Sequence, residues 1–221
     1  YLAMMAEGFL GYVLPYGQMS YWGAQVIISL FGAIPYIGES LELWVRGDYY
    51  ISGITVSRFF ALHVVALPLV LIALVFLHLV ALHEVGAGNP EGVDIEKYLD
   101  EDGVPLDSVP FFPYKVLNAL VAIGVFMTVF SIIMFFFPEG GGYFIEMANF
   151  QEANPLVTPD HIAPVWYYAP FYTMLRAIPD PLGGLIVMAA AVAIFFVVPW
   201  LDRSKVASIR YKGIFSKIAI T

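Results

Sequence analysis

Long apolar runs alternate with aromatic and acidic stretches along the chain, and this alternation predicts its secondary structure. Residues 1–14 are apolar and end near Pro15, because a proline ring interrupts helical hydrogen bonding. Each of three further runs has the roughly 20 apolar residues that a helix needs to cross about 30 Å of hydrocarbon. These runs are residues 55–84, 113–137 and 182–201. We expect an all-α fold, a polytopic transmembrane helix bundle.

The two ends of the sequence resemble interrupted spans. Residues 1–14 have the character of the second half of a spanning helix, and they show no charged leader or cleavage site. Residues 213–221 enter another apolar segment. The sequence is therefore expected to be part of a longer protein.

The segments between the spans differ in composition. Residues 15–54 mix aromatic side chains with a few charges, which is typical of short helices at the membrane interface. Residues 138–181 are rich in Pro, Gly and aromatics, and a loop of that length is usually functional. We divide the chain into a first part at 1–84, an acidic loop at 85–112 and a C-terminal part at 113–221.

Composition and charge support membrane insertion and exclude several classes. The chain is 60% hydrophobic and 13% charged, against about 45–50% and about 25% in soluble domains. A net charge of −8, with no basic patch, argues against nucleic acid as a partner. The absence of cysteine excludes disulfides, thiolate clusters and covalently attached haem.

The distribution of basic residues predicts the orientation in the membrane. Half of the 10 basic residues follow the last full span, and the positive-inside rule makes that side cytoplasmic or matrix. Counting spans backwards puts the acidic loop on the same side. The segments 15–54 and 138–181, here called the outer loops, then share the opposite face. The basic residues are Arg203, Lys205, Arg210, Lys212 and Lys217.

Two histidines stand near the two ends of one apolar segment. The fifteen positions between His63 and His78 correspond to about 22 Å along a helix and about 60° around it. Two neutral imidazoles on one broad face suit axial ligation of two haems stacked across a bilayer. Pro68 lies between them and allows a local kink. The spacing argues against close-packed zinc or di-iron sites.

Other interpretations of the histidine pair stay open on the residues alone. Either histidine could be a packing residue bonded to a backbone carbonyl. A proton relay would need further polar groups at intermediate depth, and residues 64–77 contain none. A purely structural membrane subunit would leave the aromatic outer loops unexplained.

Several motifs in a fixed order resemble the cytochrome b subunit of ubiquinol–cytochrome c oxidoreductase, respiratory complex III. They are "GYVLPYGQMSYWGAQVI", "RFFALH", "HEVGAGNP" and "TPDHIAPVWYYAPFYTMLRAIPDPLGG". Respiratory members more often separate the two histidines by fourteen residues, whereas fifteen is usual in the related photosynthetic cytochrome b. The photosynthetic polypeptide is split between its fourth and fifth helices, but this chain runs unbroken from His83 to Pro113. The resemblance is therefore to the respiratory type.

The resemblance implies two b-type haems. His63 would be an axial ligand of the haem nearer the quinol-oxidising face, and His78 of the haem nearer the cytoplasmic face. Each haem would take its second histidine from a helix outside this sequence. Gly11 matches a glycine that lets a haem edge approach the helix backbone, and Arg58 falls among the cofactor-binding positions.

The resemblance also implies a quinol-oxidation site between the two outer loops, and His83 in a quinone-reducing site on the inner face. Val165 stands where the family usually has a glutamate that accepts a quinol proton. We expect Glu7 or Asp160 to replace it, and Tyr167 to act beside them. The implied pocket residues are Tyr12, Pro15, Trp22 and Gly23 on one wall and Pro164, Val165, Trp166 and Tyr172 on the other.

The implied function is quinol oxidation on the outer face, with electrons crossing through the two haems to a quinone-reducing site and contributing to proton translocation. The implied partners are the Rieske iron–sulfur protein, cytochrome c1, quinone and the lipid bilayer, in a homodimeric complex. The membrane would be the bacterial cytoplasmic or the mitochondrial inner membrane. The alternatives are a photosynthetic-type quinol–plastocyanin oxidoreductase and a non-redox proton relay.

Overall fold

The computed structural model describes residues 1–86, 89–164, 166–206 and 208–220, except for the side chains of 167, 219 and 220. Helices and their connections make up this described part, and no strand occurs within it, so the predicted all-α bundle is confirmed. The α-helices are α1 (Leu2–Val13), α2 (Gln18–Gly32), α3 (Gly38–Arg46), α4 (Gly53–Ala61), α5 (Leu67–Val85), α6 (Val116–Phe136), α7 (Ala169–Ala177), α8 (Pro181–Leu201) and α9 (Ile214–Ile220).

Three of the described helical segments are long and apolar enough to cross a membrane. Almost none of their residues is buried within the described chain, as is usual for apolar side chains that face hydrocarbon. The predicted spans are thereby confirmed to within a few residues, and the chain is an integral membrane protein. The segments are Gly53–Val85, Phe111–Phe136 and Pro181–Leu201.

The first long span begins with a complete cap. Ser52 accepts a hydrogen bond from the Ile54 N–H at 3.3 Å, and the Ser52 N–H donates to Thr55 Oγ1 at 3.1 Å. The Thr55 hydroxyl in turn donates to the carbonyl of Arg46 at 2.7 Å. This capping box satisfies backbone donors that a helix end leaves unpaired, and it ties the start of the span to the end of α3.

The same span contains one π-helical turn, Leu62–Ala66, between α4 and α5. The N–H of Leu67 donates to the carbonyl of Leu62, five residues earlier. Pro68 follows at once and has no N–H to donate, so the regular i−4 pattern is interrupted there. The expected local distortion at Pro68 is a π turn, and His63 lies inside it.

The chain forms two compact units, residues 1–77 with 137–196 and residues 78–136 with 197–221. The buried core of the first unit lies where α1, α2 and α4 meet, and it consists of Leu10, Val13, Tyr21, Ala24, Ile28, Ile51 and Phe59. This core fixes α1 against the start of the first long span. The three-part division of the chain made from sequence stays a prediction.

The second unit joins the acidic loop to the segment that follows α8. The Ser208 N–H donates to the carbonyl of Pro90 at 3.0 Å, and Gly92 lies against the carbonyl of Lys205 with no room for a Cβ. Lys212 pairs with Asp202, and the hydrogen bond from Lys212 lowers the pKa of the Asp202 carboxyl. The acidic loop is thus anchored at its beginning to the basic segment after α8.

Candidate functional site

The imidazole of His63 lies directly over Gly11 of α1. A Cβ placed on Gly11 would be 2.5 Å from His63 Cε1 and 3.0 Å from each ring nitrogen, closer than a real Cβ contact allows. Phe9 and Phe59 hold the same two helices together through an edge-to-face contact with ring centroids 5.8 Å apart. The missing Cβ at Gly11 therefore makes the space in which the His63 ring sits.

The Nδ1 atom of His63 faces two oxygens of Glu7. It is 3.0 Å from the backbone carbonyl oxygen of Glu7 and 3.2 Å from the carboxylate Oε1. Both oxygens are acceptors, so a neutral imidazole here carries its proton on Nδ1 and leaves the Nε2 lone pair free. A histidine whose Nδ1 is held by a hydrogen bond in this way is suited to bind iron through Nε2.

His78 and His83 both lie on α5 and are exposed. No hydrogen bond to either ring occurs within the described ranges. The residues next to His78 on α5 are apolar. The ligand role of His78 and the quinone role of His83 stay predictions.

Arg58 is directed at α3 and the turn that follows it. Its guanidinium lies 5.9 Å from the centroid of the Trp44 ring and beside Gly47, where a Cβ would meet it. It lines a surface cavity of about 490 Å³ together with Ser40, Leu43, Trp44, Gly47, Asp48 and Tyr49. The contacts of Arg58 thus fix the α3–α4 connection, and its cofactor role stays a prediction.

The two outer loops meet at a junction between residues 16–20 and residues 149–157. Gly17 and Glu152 form an antiparallel bridge, and the Ala153 N–H donates to the carbonyl of Tyr16 at 3.2 Å. Gly17 touches the backbone of Asn149 so closely that no Cβ would fit. The contact agrees with the expectation that both loops lie on one face of the membrane.

Gln18 pins this junction with its side chain. Its amide Nε2 donates to the carbonyl of Val157 at 2.9 Å, and its Oε1 accepts from the Asn154 N–H at 2.8 Å. Gln18 is only 5% exposed, so its side-chain amide has little access to water. Sequence reasoning did not select Gln18. The only signal in the sequence that could have drawn attention to it is a polar glutamine next to Gly17 in an aromatic stretch.

Tyr16 makes contacts within the first outer loop that stabilise it. Its hydroxyl donates to the carbonyl of Ile51 at 2.9 Å, and its ring meets Tyr21 edge to face with centroids 6.1 Å apart. Burial raises the pKa of both Tyr16 and Tyr21, so each hydroxyl is protonated near neutral pH. Tyr16 therefore serves as a donor that closes the loop.

The residues predicted for one wall of the quinol pocket lie on α1, on α2 and between them. Trp22 contacts Tyr21 edge to face at 5.4 Å, and its indole N–H is buried with no hydrogen-bond partner in the described part of the chain. Space is open around Gly23. Tyr12 accepts from the Ser20 hydroxyl at 2.6 Å through its carbonyl, and Pro15 is exposed in the turn.

The residues predicted for the other wall are partly described. Val165 lies outside the described residues, as does the side chain of Tyr167, and Pro164 is half-buried. Trp166 stacks on Tyr143 with centroids 5.4 Å apart. Tyr172 accepts a hydrogen bond from Arg176 at 3.3 Å, one turn along α7.

The two candidate proton acceptors, Asp160 and Glu7, have different surroundings in the structure. Asp160 is exposed in the second outer loop, and its carboxylate makes no hydrogen bond or ion pair within the ranges described. Glu7 faces His63 and keeps its second oxygen, Oε2, buried without a described partner. Gly8, the next residue of α1, lies against the hydroxyl of Tyr168, which would be 2.9 Å from a Cβ on Gly8. Sequence reasoning did not select Tyr168.

Two family models match the chain. One, described as "Cytochrome b(N-terminal)/b6/petB", matches residues 1–170. The other, described as "Cytochrome b(C-terminal)/b6/petD", matches residues 152–221. Together they cover the whole sequence, and their overlap at residues 152–170 lies within the second outer loop.

Curated relatives and a solved structure agree with the family models. Cytochrome b of Allochromatium vinosum is 55% identical, over 96% of this chain and 53% of the relative. Cytochrome b of Rickettsia bellii is 47% identical, over 97% of this chain and 51% of the relative. A chain in a solved "Hyperthermophilic respiratory Complex III" superimposes with a TM-score of 0.85 and 33% identity, covering 100% of this chain and 56% of that one. This chain thus spans about half the length of these relatives, and it belongs to the cytochrome b family.

Proposed function

We propose that this chain is part of the haem-carrying subunit of a quinol–cytochrome c oxidoreductase. The observation that carries the proposal is the state of His63. The carbonyl of Glu7 accepts from Nδ1, the Glu7 carboxylate lies 3.2 Å from the same nitrogen, Gly11 makes room for the ring, and Nε2 is left for a metal. Membership of the cytochrome b family supports the same reading.

His63 and His78 would each hold one b-type haem. Bound haem supplies the one-electron redox chemistry that side chains lack. Each histidine would contribute one axial nitrogen, and the opposite ligand of each haem would come from a helix outside this sequence. The residues between the two histidines are apolar and would exclude water from the path.

The junction of the outer loops would frame the quinol-oxidation pocket. A quinone ring needs an apolar slot with a few polar groups at its oxygens. Trp22 and Trp166 lie on the two sides of that slot in our proposal, with Tyr172 and Pro164 beside them. The unpaired indole N–H of Trp22 is one donor that the described part of the chain leaves without an acceptor.

Oxidation of a quinol releases protons, and a group other than Val165 must accept them. We keep Glu7 and Asp160 as the two candidates, with Tyr167 as a third participant. Asp160 has direct access to solvent, whereas the side chain of Glu7 is only 20% exposed and faces His63. On the inner face, His83 would bind the quinone that is reduced.

The remaining parts of the proposal concern the whole complex. A Rieske iron–sulfur protein and cytochrome c1 would accept electrons from the outer site, and the complex would be a homodimer. It would reside in a bacterial cytoplasmic or a mitochondrial inner membrane. The curated "Cytochrome b/c1" of Bradyrhizobium diazoefficiens, 44% identical over 96% of this chain and 29% of that protein, supports the pairing with a c1 component.

A reduced-minus-oxidised visible spectrum of the purified parent complex tests the proposal. We expect two b-type haems in the parent, one of them lost in His63→Ala and the other in His78→Ala. His161→Ala is the matched control, because His161 is exposed in an outer loop and should leave both haems in place. An intact parent complex without any haem absorbance would contradict the proposed function.

A further inference from the structure

We infer that Glu7 is a positioning residue that fixes the imidazole of His63 and thereby lowers the reduction potential of the haem that His63 holds. This inference rests on the proposed function, since it assumes that His63 is an axial ligand. It assigns Glu7 a role at the haem ligand that is separate from proton acceptance during quinol oxidation.

Two different oxygens of the same residue face one nitrogen. The carbonyl oxygen of Glu7 is 3.0 Å from His63 Nδ1, and the carboxylate Oε1 is 3.2 Å from it. Any residue at this position would offer the carbonyl, but only a carboxylate adds a charged oxygen beside it. At 3.2 Å this oxygen attracts the Nδ1 proton electrostatically, so the side chain adds to the hydrogen bond that the carbonyl accepts.

One turn of α1 both binds the His63 ring and leaves the space that the ring occupies. Glu7 and Gly11 are four positions apart and share a helix face. The ring of His63 lies so close to Gly11 that a Cβ would be 2.5 Å from Cε1. With Nδ1 held by Glu7 and Cε1 held against Gly11, the imidazole is restricted in its rotation.

The surroundings make the carboxylate effective. The side chains of Glu7 and His63 are 20% and 30% exposed, so water screens their interaction only in part. The second oxygen, Oε2, is buried and has no hydrogen-bond partner among the residues that the structure describes. The described polar contact of the Glu7 carboxylate is therefore the one from Oε1 to His63 Nδ1, and no ion pair to another basic side chain in the described part competes for it.

A strong acceptor on Nδ1 makes the imidazole a better electron donor at Nε2. An acceptor behind a metal-bound histidine raises the basicity of the ligand, and a more basic ligand stabilises the oxidised iron relative to the reduced iron. Glu7 should therefore lower the midpoint potential of the haem at His63. The haem at His78 has no such acceptor in the described part of the chain and serves as an internal reference.

Potentiometric titration of the two haems in the intact complex tests this inference. We expect Glu7→Gln to raise the midpoint potential of the His63 haem, because the amide is a weaker, uncharged acceptor. Glu7→Leu should raise it further, since only the backbone carbonyl then remains. In both variants the potential of the His78 haem should be unchanged.

The matched control is Glu39→Gln, which makes the same change of charge at an exposed position in the first turn of α3. Unchanged potentials in both Glu7 variants would overturn the inference, as would an equal shift of both haems or an equal shift in the Glu39 variant. If Glu7→Leu does not assemble, the nearly isosteric Glu7→Gln still decides the question. A parent complex without haem would refute the proposed function itself, whereas two haems with no shift would refute only the role of Glu7.

Discussion

Gly11 lies against the ring of His63 in the candidate haem site, and a single methyl group on Gly11 would disrupt this packing. A Cβ at Gly11 would lie 2.5 Å from Cε1 and 3.0 Å from both ring nitrogens of His63. The ring is planar and held at Nδ1, so it cannot yield as a flexible chain would. We expect Gly11→Ala to reduce or abolish binding of the His63 haem, as measured by reduced-minus-oxidised absorbance.

A second glycine provides the control for this substitution. Gly124 lies in α6, and a Cβ there would meet nothing within 4 Å, so Gly124→Ala should retain both haems. Retention of the His78 haem in Gly11→Ala would show that the variant is folded. Full occupancy of both haems in Gly11→Ala would contradict the close packing described here.

At the residue scale, the sequence predicted which residue types matter but not their contacts. The polarity of His63, His78 and Glu7 was conspicuous because ionisable groups are rare in apolar spans. That Glu7 faces His63 depends on how α1 packs against the first long span, which no local pattern contains. Gln18 was missed for the same reason, since its partners are more than a hundred positions away in the sequence.

At the scale of elements, the spans were predictable because the thickness of the bilayer sets their length. The prediction of residues 55–84 corresponds to the observed Gly53–Val85. The π turn at Leu62–Ala66 was not predictable in kind, although Pro68 indicated some distortion. A proline removes one donor, but tertiary packing decides whether the helix kinks, ends or takes up an extra residue.

A deletion tests the meaning of the π turn. Because this turn closes an i−5 rather than an i−4 hydrogen bond, it takes up one residue more than an α-helical turn. Deleting Val65 should convert it to an α-helical turn and give the fourteen-residue histidine spacing of the respiratory members. We expect this variant to retain both haems in the visible spectrum.

Deleting Ala73 provides the matched comparison. It also shortens the spacing by one residue, but it lies in the regular helix α5, where no extra residue can be given up. The resulting rotation of about 100° should cost the His78 haem. Equal spectra for the two deletions would show that the π turn has no such role.

At the scale of the whole molecule, Gln18 holds together loops that are distant in sequence. Gln18→Ala would remove the two hydrogen bonds that the Gln18 amide makes to the Asn154 N–H and the Val157 carbonyl. Each such bond contributes about 1 kcal/mol, so the junction should lose about 2 kcal/mol. We expect faster proteolysis of the second outer loop and a lower Tm in detergent.

Gln25→Ala is the appropriate control, because Gln25 lies on the same helix and its Oε1 has no hydrogen-bond partner in the described part of the chain. It should change the proteolysis rate and the Tm much less than Gln18→Ala does. Similar losses in the two variants would mean that any truncation of α2, rather than the junction, weakens the protein.

The junction also bears on whether the polypeptide has to be continuous. Its two sides, residues 16–20 and residues 149–157, come from opposite sides of the acidic connection at 85–112. In addition, Tyr1 packs against Phe195 and Phe196. The halves of the first compact unit are therefore joined by non-covalent contacts that do not involve that connection. If the chain were cut within that connection, we would therefore expect these contacts to keep the two parts of the first unit together.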